Sequence, residues 1–222
     1  MTDNGKSGVA LILGTIGGLV TMAIHPTSAG AATATQADHL ALHSAIAHSL
    51  AMLSSLAMVL GVCGLTKRLN APDRLAFSGM IAYLFGAVAI LIATAVSGFI
   101  VPALMHRMSQ DAPGAAGEWH IAIVSIFQIN QAFAGIYTVA VSIAVALWSV
   151  SALKQGMRGR LLMLYGCVSA PLLVLGICIG MLRLNVPGMA LVVVAQGIWF
   201  IGVGIQLRAE DEKISAQTAT QP

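Results

Sequence analysis

Long apolar runs alternate with short polar breaks along the whole chain. A membrane helix needs about 20 mostly apolar residues, at about 1.5 Å rise each, to cross a ~30 Å hydrocarbon core. Six runs meet that length: Ser7 to Ile24, His39 to Leu65, Leu75 to Met105, Trp119 to Leu153, Leu161 to Met181 and Pro187 to Leu207. No Asp, Glu, Lys or Arg lies deep within any of them. The second, third and fourth runs exceed a minimal span, which predicts tilt or helical extension into the headgroups. The pattern predicts an all-α fold, a polytopic membrane bundle of six transmembrane helices. Residues 1–207 form one transmembrane domain. Residues 208–222, acidic and then rich in Ser, Gln, Thr and Pro, read as a disordered cytoplasmic tail.

Composition supports the same class. Of 222 residues, 58% are apolar and 9% are charged, against about 25% charged in an average soluble domain. Too few polar residues are present to coat a soluble globule. That excludes an ordinary cytosolic enzyme, a disordered regulator and a nucleic-acid binder, even with a net charge of +3. The basic residues instead report orientation. Lys6, Lys67, Arg68, Arg74, Lys154, Arg158, Arg160, Arg208 and Lys213 fall on one side of the six spans, and only Arg107 and Arg183 on the other. Short cytoplasmic loops retain Lys and Arg, so both termini are expected to be cytoplasmic in a bacterial-type inner membrane. Ala32-Thr33-Ala34 resembles a signal-peptidase site. The weakly charged start, Lys6 offset by Asp3, and the helix-packing spacing of Gly14 and Gly18 favour a retained first span.

Small residues carry helix contacts in lipid, where apolar surface alone provides no drive. Gly14 and Gly18, Ala93 and Ser97, and Gly176 and Gly180 have that spacing. These faces serve packing within the bundle, a homodimer or a partner in a larger membrane complex. Trp119, Trp148 and Tyr165 stand near span ends, as an aromatic belt would. Pro171 lies well inside a span and predicts a kink. Cys63, Cys167 and Cys178 form no motif and read as small packing residues.

All six histidines fall on the outward half: His25, His39, His43, His48, His106 and His120. Polar side chains in a membrane are costly and point to function. His39 and His43 are four apart and share a helix face, whereas His48 lies about 180° from His39. His43, His48 and His120 are the candidate cofactor ligands, and His25 with His39 the candidate metal ligands. Neutral imidazoles suit haem b as axial ligands, or Zn and Cu with Asp38, Glu118, Met22 or Met105 added. Each returning span also carries a polar residue about ten positions after its outward start: His48, Gln131 and Gln196. Three repeated hairpins would place these at one depth, as repeats in membrane proteins often do at a site. His120 and Gln131 share a stripe, about 20° apart. With Asn130 they define a polar path for a channel or carrier. The same polar groups could instead be interhelical hydrogen-bonding glue.

Ser44-Ala-Ile-Ala-His48 and His39-Leu-Ala-Leu-His43 resemble the SxxxH and HxxxH patterns of the CREST superfamily of membrane zinc hydrolases. That resemblance implies a zinc-activated water attacking an amide or ester. It covers about ten residues. That superfamily has seven spans and holds its two motifs on different helices, whereas here both fall on one. GxGxxG, Walker, HExxH, CxxC and CxxCH motifs are missing. The expectation is a non-enzymatic membrane protein binding a haem, metal or small ligand in its outward half. A solute channel or carrier, or an accessory subunit, is the alternative.

Overall fold

The computed structural model describes residues 3–25, 34–69, 73–108, 110 and 116–219. The elements are α1 (Asp3–Ala23), α2 (Ala34–Arg68), α3 (Arg74–Ala95), a π-helical segment (Val96–Ile100), α4 (Val101–Met108), α5 (Ala116–Lys154), α6 (Arg160–Cys178) and α7 (Val186–Ala219). No strand occurs among the described residues. The segments long and apolar enough to cross a membrane number six, because α3, the π segment and α4 run on as one span, Arg74–Met108. The protein is thus a helical bundle of the multi-pass membrane type. Large apolar side chains such as Leu53, Leu60, Phe85 and Leu161 cover its outer surface, as contact with lipid requires.

The helices close into a ring. Helix α1 packs against α2 and α7, α3 against α2 and α5, and α6 against α5 and α7. The first and last spans are therefore neighbours. Glycine makes the α1 contacts possible. A Cβ at Gly8 would lie 2.5 Å from the Gly204 carbonyl, and one at Gly204 would lie 2.8 Å from the Gly8 carbonyl. On the other flank, a Cβ at Gly14 would meet the Met58 nitrogen and the Ser54 carbonyl at 2.9 Å each. Such close backbone approach is what holds helices together in lipid. Gly18 does not share it, since its nearest neighbour would be Val193 Cγ1 at 4.0 Å.

Several expectations are corrected. Gly176 and Gly180 do not form a packing face. Gly180 has φ +72°, the Gly180 N–H donates to the Ile177 carbonyl at 3.1 Å, and the Leu182 N–H donates to the Gly176 carbonyl at 2.8 Å. A left-handed glycine after the last turn stops a helix, so α6 ends at Cys178 rather than at Met181. Trp148 is not part of an aromatic belt. It is 0% exposed, donates Nε1–H to the Ala76 carbonyl at 3.1 Å, and stacks on Trp199 at a centroid distance of 6.1 Å. Tyr165 donates its hydroxyl to the Ala195 carbonyl at 2.8 Å, tying α6 to α7. Helix α6 passes Pro171 without a break.

The segment expected to be a disordered tail is also helical, from Arg208 to Ala219. Its acidic residues have partners. Arg68 Nε donates to Glu210 Oε2 at 2.7 Å, and Nη2 to Oε1 at 3.2 Å. Asp211 is buried. A bidentate arginine pair at the end of α2 thus holds a further turn of α7 that composition assigned to solvent.

Asp73 stitches the same basic end. It caps α3 by accepting from the Leu75 N–H at 3.0 Å, and it also accepts from the Ser151 hydroxyl on α5. The Ser151 bond, then the Leu75 bond, hold its carboxyl below the usual 3.8. A depressed folded pKa stabilises the fold fully above the ordinary carboxylate range, and the benefit is lost as pH falls through the lowered value. The expected result in thermal unfolding is that wild type exceeds Asp73→Asn near neutrality, and that the gap narrows as pH drops below the usual carboxylate range. A gap independent of pH would refute this role for the charge.

Candidate functional site

The ring encloses a cavity of about 400 Å³. That falls within the 300–1,000 Å³ range of small-molecule sites. Its wall comes from α1, α2, α3, α5 and α7 and includes His25, His48, Asn130, Gln131 and Gln196. Tyr83, Phe127, Tyr137 and Phe200 supply aromatic surface. No Asp, Glu, Lys or Arg is among the described lining residues. The three polar residues picked from equivalent positions of the returning spans, His48, Gln131 and Gln196, therefore meet at one cavity.

His48 is held from two sides. On its own helix, Nδ1 lies 2.7 Å from the Ser44 carbonyl. A carbonyl only accepts, so Nδ1 carries the proton and Nε2 is left as the acceptor nitrogen. Facing it is the π segment of the third span. The Val101 N–H bonds the Val96 carbonyl five residues back, instead of Ser97. Pro102, next in the chain, has no N–H to offer Ser97 either. The Ser97 carbonyl is thus left without a helical donor, and the Ser44 hydroxyl donates to it at 3.1 Å. Gly98 completes the fit, because a Cβ there would lie 2.5 Å from His48 Cβ. A π-bulge inserted into a helix is a frequent mark of a functional site. Ser97-Gly98 ahead of Pro102 is its local signal in the sequence, and hydropathy alone passes over it.

The other histidines are placed differently. His43 and His39 are exposed. Five residues separate His43 from His48, about 140° around the helix, so only one of the pair faces inward. The structure does not bring His43 and His48, two of the candidate cofactor ligands, to one place. Nor does it bring His25 and His39, the candidate metal ligands, together, because His25 lines the cavity and His39 does not. The SxxxH and HxxxH strings likewise present their histidines on different faces. His106 is exposed, with Gln110 Nε2 2.9 Å from its Nε2. His120 stands on α5, but its side chain is outside the described residues, as are those of Asp38 and Glu118.

His25 and His48 meet edge to face, with ring centroids 5.0 Å apart and planes at 67°. Rings in direct contact leave no slot between them for a porphyrin, so the pair does not fit a haem held between two histidines. Among the described residues, no three His, Cys, Asp or Glu side chains converge as a metal site.

The remaining wall polarity is in hydroxyls and amides. Thr15 donates to the Leu11 carbonyl at 2.7 Å, Thr21 to Gly17 at 2.9 Å, Ser54 to Leu50 at 2.7 Å, Ser55 to Ala51 at 3.0 Å and Thr94 to Ile90 at 2.6 Å. Gln196, 5% exposed, donates through Nε2 to the Ser142 hydroxyl at 3.2 Å. Its Oε1 has no hydrogen-bond partner, and neither does Oδ1 of Asn130. Gln131 and Asn185 are exposed where they line the cavity, which marks its mouth toward the histidine-bearing end of the bundle. In comparison with known proteins, no family model, no curated protein and no solved structure matches the chain.

Proposed function

We propose that this protein binds a small uncharged solute in the cavity at the centre of its bundle, within a bacterial-type inner membrane and with both termini cytoplasmic. The observation that carries the reading is the cavity itself, partly polar in its wall yet lined by no charged residue among those described. A buried ion would need a compensating charge, and none of the described lining residues supplies it. Nine of the eleven Lys and Arg residues lie at the opposite end from the histidines, so the mouth at Gln131 and Asn185 opens outward. The role is binding, with His48 as an anchoring group. A carrier is the second reading, favoured by the same exposed mouth: Gln131 then stands at the entry of a path that continues past His48 to Gln196.

Access to the cavity is the test. The three native cysteines are replaced by alanine, and Gly18→Cys is treated with a membrane-impermeant thiol reagent in intact cells. Gly18 lines the cavity and has room for a side chain. Labelling from outside is expected at position 18. None is expected at Val20→Cys, whose side chain is exposed on the outer surface of the bundle, where lipid keeps a thiol protonated and inert. Failure to label position 18 from either side would refute an open cavity, and labelling from the cytoplasmic side alone would reverse the orientation.

A further inference from the structure

The donors and acceptors of the cavity wall are unevenly distributed, and this names the class of solute. The inference rests on the proposed binding site. A hydroxyl has one hydrogen and two lone pairs. Thr15, Thr21, Ser54, Ser55 and Thr94 all spend that hydrogen on the carbonyl four residues back in their own helices. To anything in the cavity they present lone pairs only. His48 does the same, because its Nδ1 proton is held by the Ser44 carbonyl and Nε2 is left to accept. Gln196 donates to Ser142, and its carbonyl oxygen is sealed from the cavity. The Asn130 carbonyl oxygen is sealed in the same way, and its amide N–H groups stand beside Gln131 near the mouth. The free amide donors of Gln131 and Asn185 lie at the exposed mouth. The tyrosine hydroxyls of Tyr83 and Tyr137 turn either way.

We infer that the solute is an uncharged molecule that presents O–H or N–H donors to the deep, acceptor-lined part of the cavity, on a body flat or apolar enough to lie against Tyr83, Phe127 and Phe200. An acceptor left unpaired in a buried site costs free energy that only a donor recovers. An ether or ester of the same shape would leave the lone pairs of the wall facing its own. A full cation would bring donors but find no counter-charge, since no carboxylate is among the described residues of the wall. Hydroxylated and amide-bearing solutes share the donor chemistry.

The test uses a matched pair of probes. Catechol has two O–H donors, whereas 1,2-dimethoxybenzene keeps the ring and the oxygens and loses both. The purified full-length chain in lipid nanodiscs is dialysed to equilibrium against each probe, with empty nanodiscs as the background. Urea, an N–H donor with no ring, is the third arm and separates the amide source from the hydroxyl source. Catechol is expected to bind at least about tenfold more tightly than its dimethyl ether. Thr15→Val is expected to weaken catechol about tenfold and to leave the ether unchanged. Thr94→Val, nearly the same shape, weakens catechol in the same selective way and guards against a variant that fails to fold. Gly18→Leu fills the cavity and removes binding of both probes. Equal affinity for catechol and the ether, with no effect of Thr15→Val or Thr94→Val, would overturn the donor inference and leave the binding site standing. Retention of none of the three above the nanodisc background would overturn both.

Discussion

Trp148→Ala lowers the stability of the bundle by about 3–5 kcal/mol, the expected cost of emptying a well-packed aromatic site. The indole is wholly buried at the meeting point of α3, α5 and α7. It stacks on Trp199 with planes 9° apart, and Phe200 meets it edge to face at 6.5 Å. Tyr83 lies 5.9 Å away. Gly79 lets α3 approach the ring, since a Cβ there would stand 2.9 Å from Nε1. Removing the side chain leaves a void that the surrounding helices cannot close without moving the cavity wall, because Tyr83 and Phe200 belong to both. Trp148→Phe keeps part of the ring contact and loses the bond to the Ala76 carbonyl, so it falls between the two. Thermal unfolding in mild detergent measures the series. A Trp148→Ala protein melting within about 2 °C of the parent would show that this cluster does not hold the bundle.

Gly8→Val is the second large effect. Any β-carbon at position 8 runs into the Gly204 carbonyl, and backbone cannot step aside as a flexible side chain does. Overpacking of this kind costs about 1–3 kcal/mol where relaxation is possible. Here relaxation means pushing α1 off α7, which opens the ring at the contact between the first and last spans. The expected result is loss of the monodisperse species in size-exclusion chromatography and a lowered melting temperature. Gly204→Val should reproduce it from the other helix. Gly18→Ala, in the same helix but facing open space, should stay within about 0.5 kcal/mol of the parent. Equal tolerance at positions 8 and 18 would mean that α1 and α7 do not touch as described.

The two effects lie on contacts that the sequence suggested unevenly. Small residues at spacing four pointed to helix packing, and Gly14 does pack, but Gly176 and Gly180 share the spacing and end a helix instead. The pattern cannot separate these uses, because a glycine is required wherever backbone comes close and also wherever φ turns positive. Trp148 near a span end read as a headgroup anchor. Its depth was correctly judged to be near the basic end, but its direction, inward toward Trp199, depends on how α5 is rotated within the ring.

The candidate site shows the same division. His48, Gln131 and Gln196 stood out because a polar residue is costly in an apolar run and because all three recur about ten residues into a returning span. Helical periodicity already argued that His48 and His39 face apart. That His43 also turns outward, that His25 joins His48, and that Thr15, Thr21, Ser54 and Thr94 complete an acceptor-rich wall required the neighbouring helices to be in place. The threonines and serines escaped notice because their polarity is hidden within their own helices.

Hydropathy by itself determined the six spans and the all-α class, because spanning a bilayer demands about 20 apolar residues with every backbone group satisfied inside the helix. That is a local requirement, so a local pattern reports it. The tertiary structure alone decided which face of each helix looks inward, where the ring closes, and that the acidic turns after Arg208 stay helical against Arg68. It also decided that Ser44 reaches across to the Ser97 carbonyl that Pro102 leaves bare. These depend on how each helix is rotated about its axis and on distances between residues far apart in the chain, and in lipid those are settled by packing of small residues rather than by hydrophobicity.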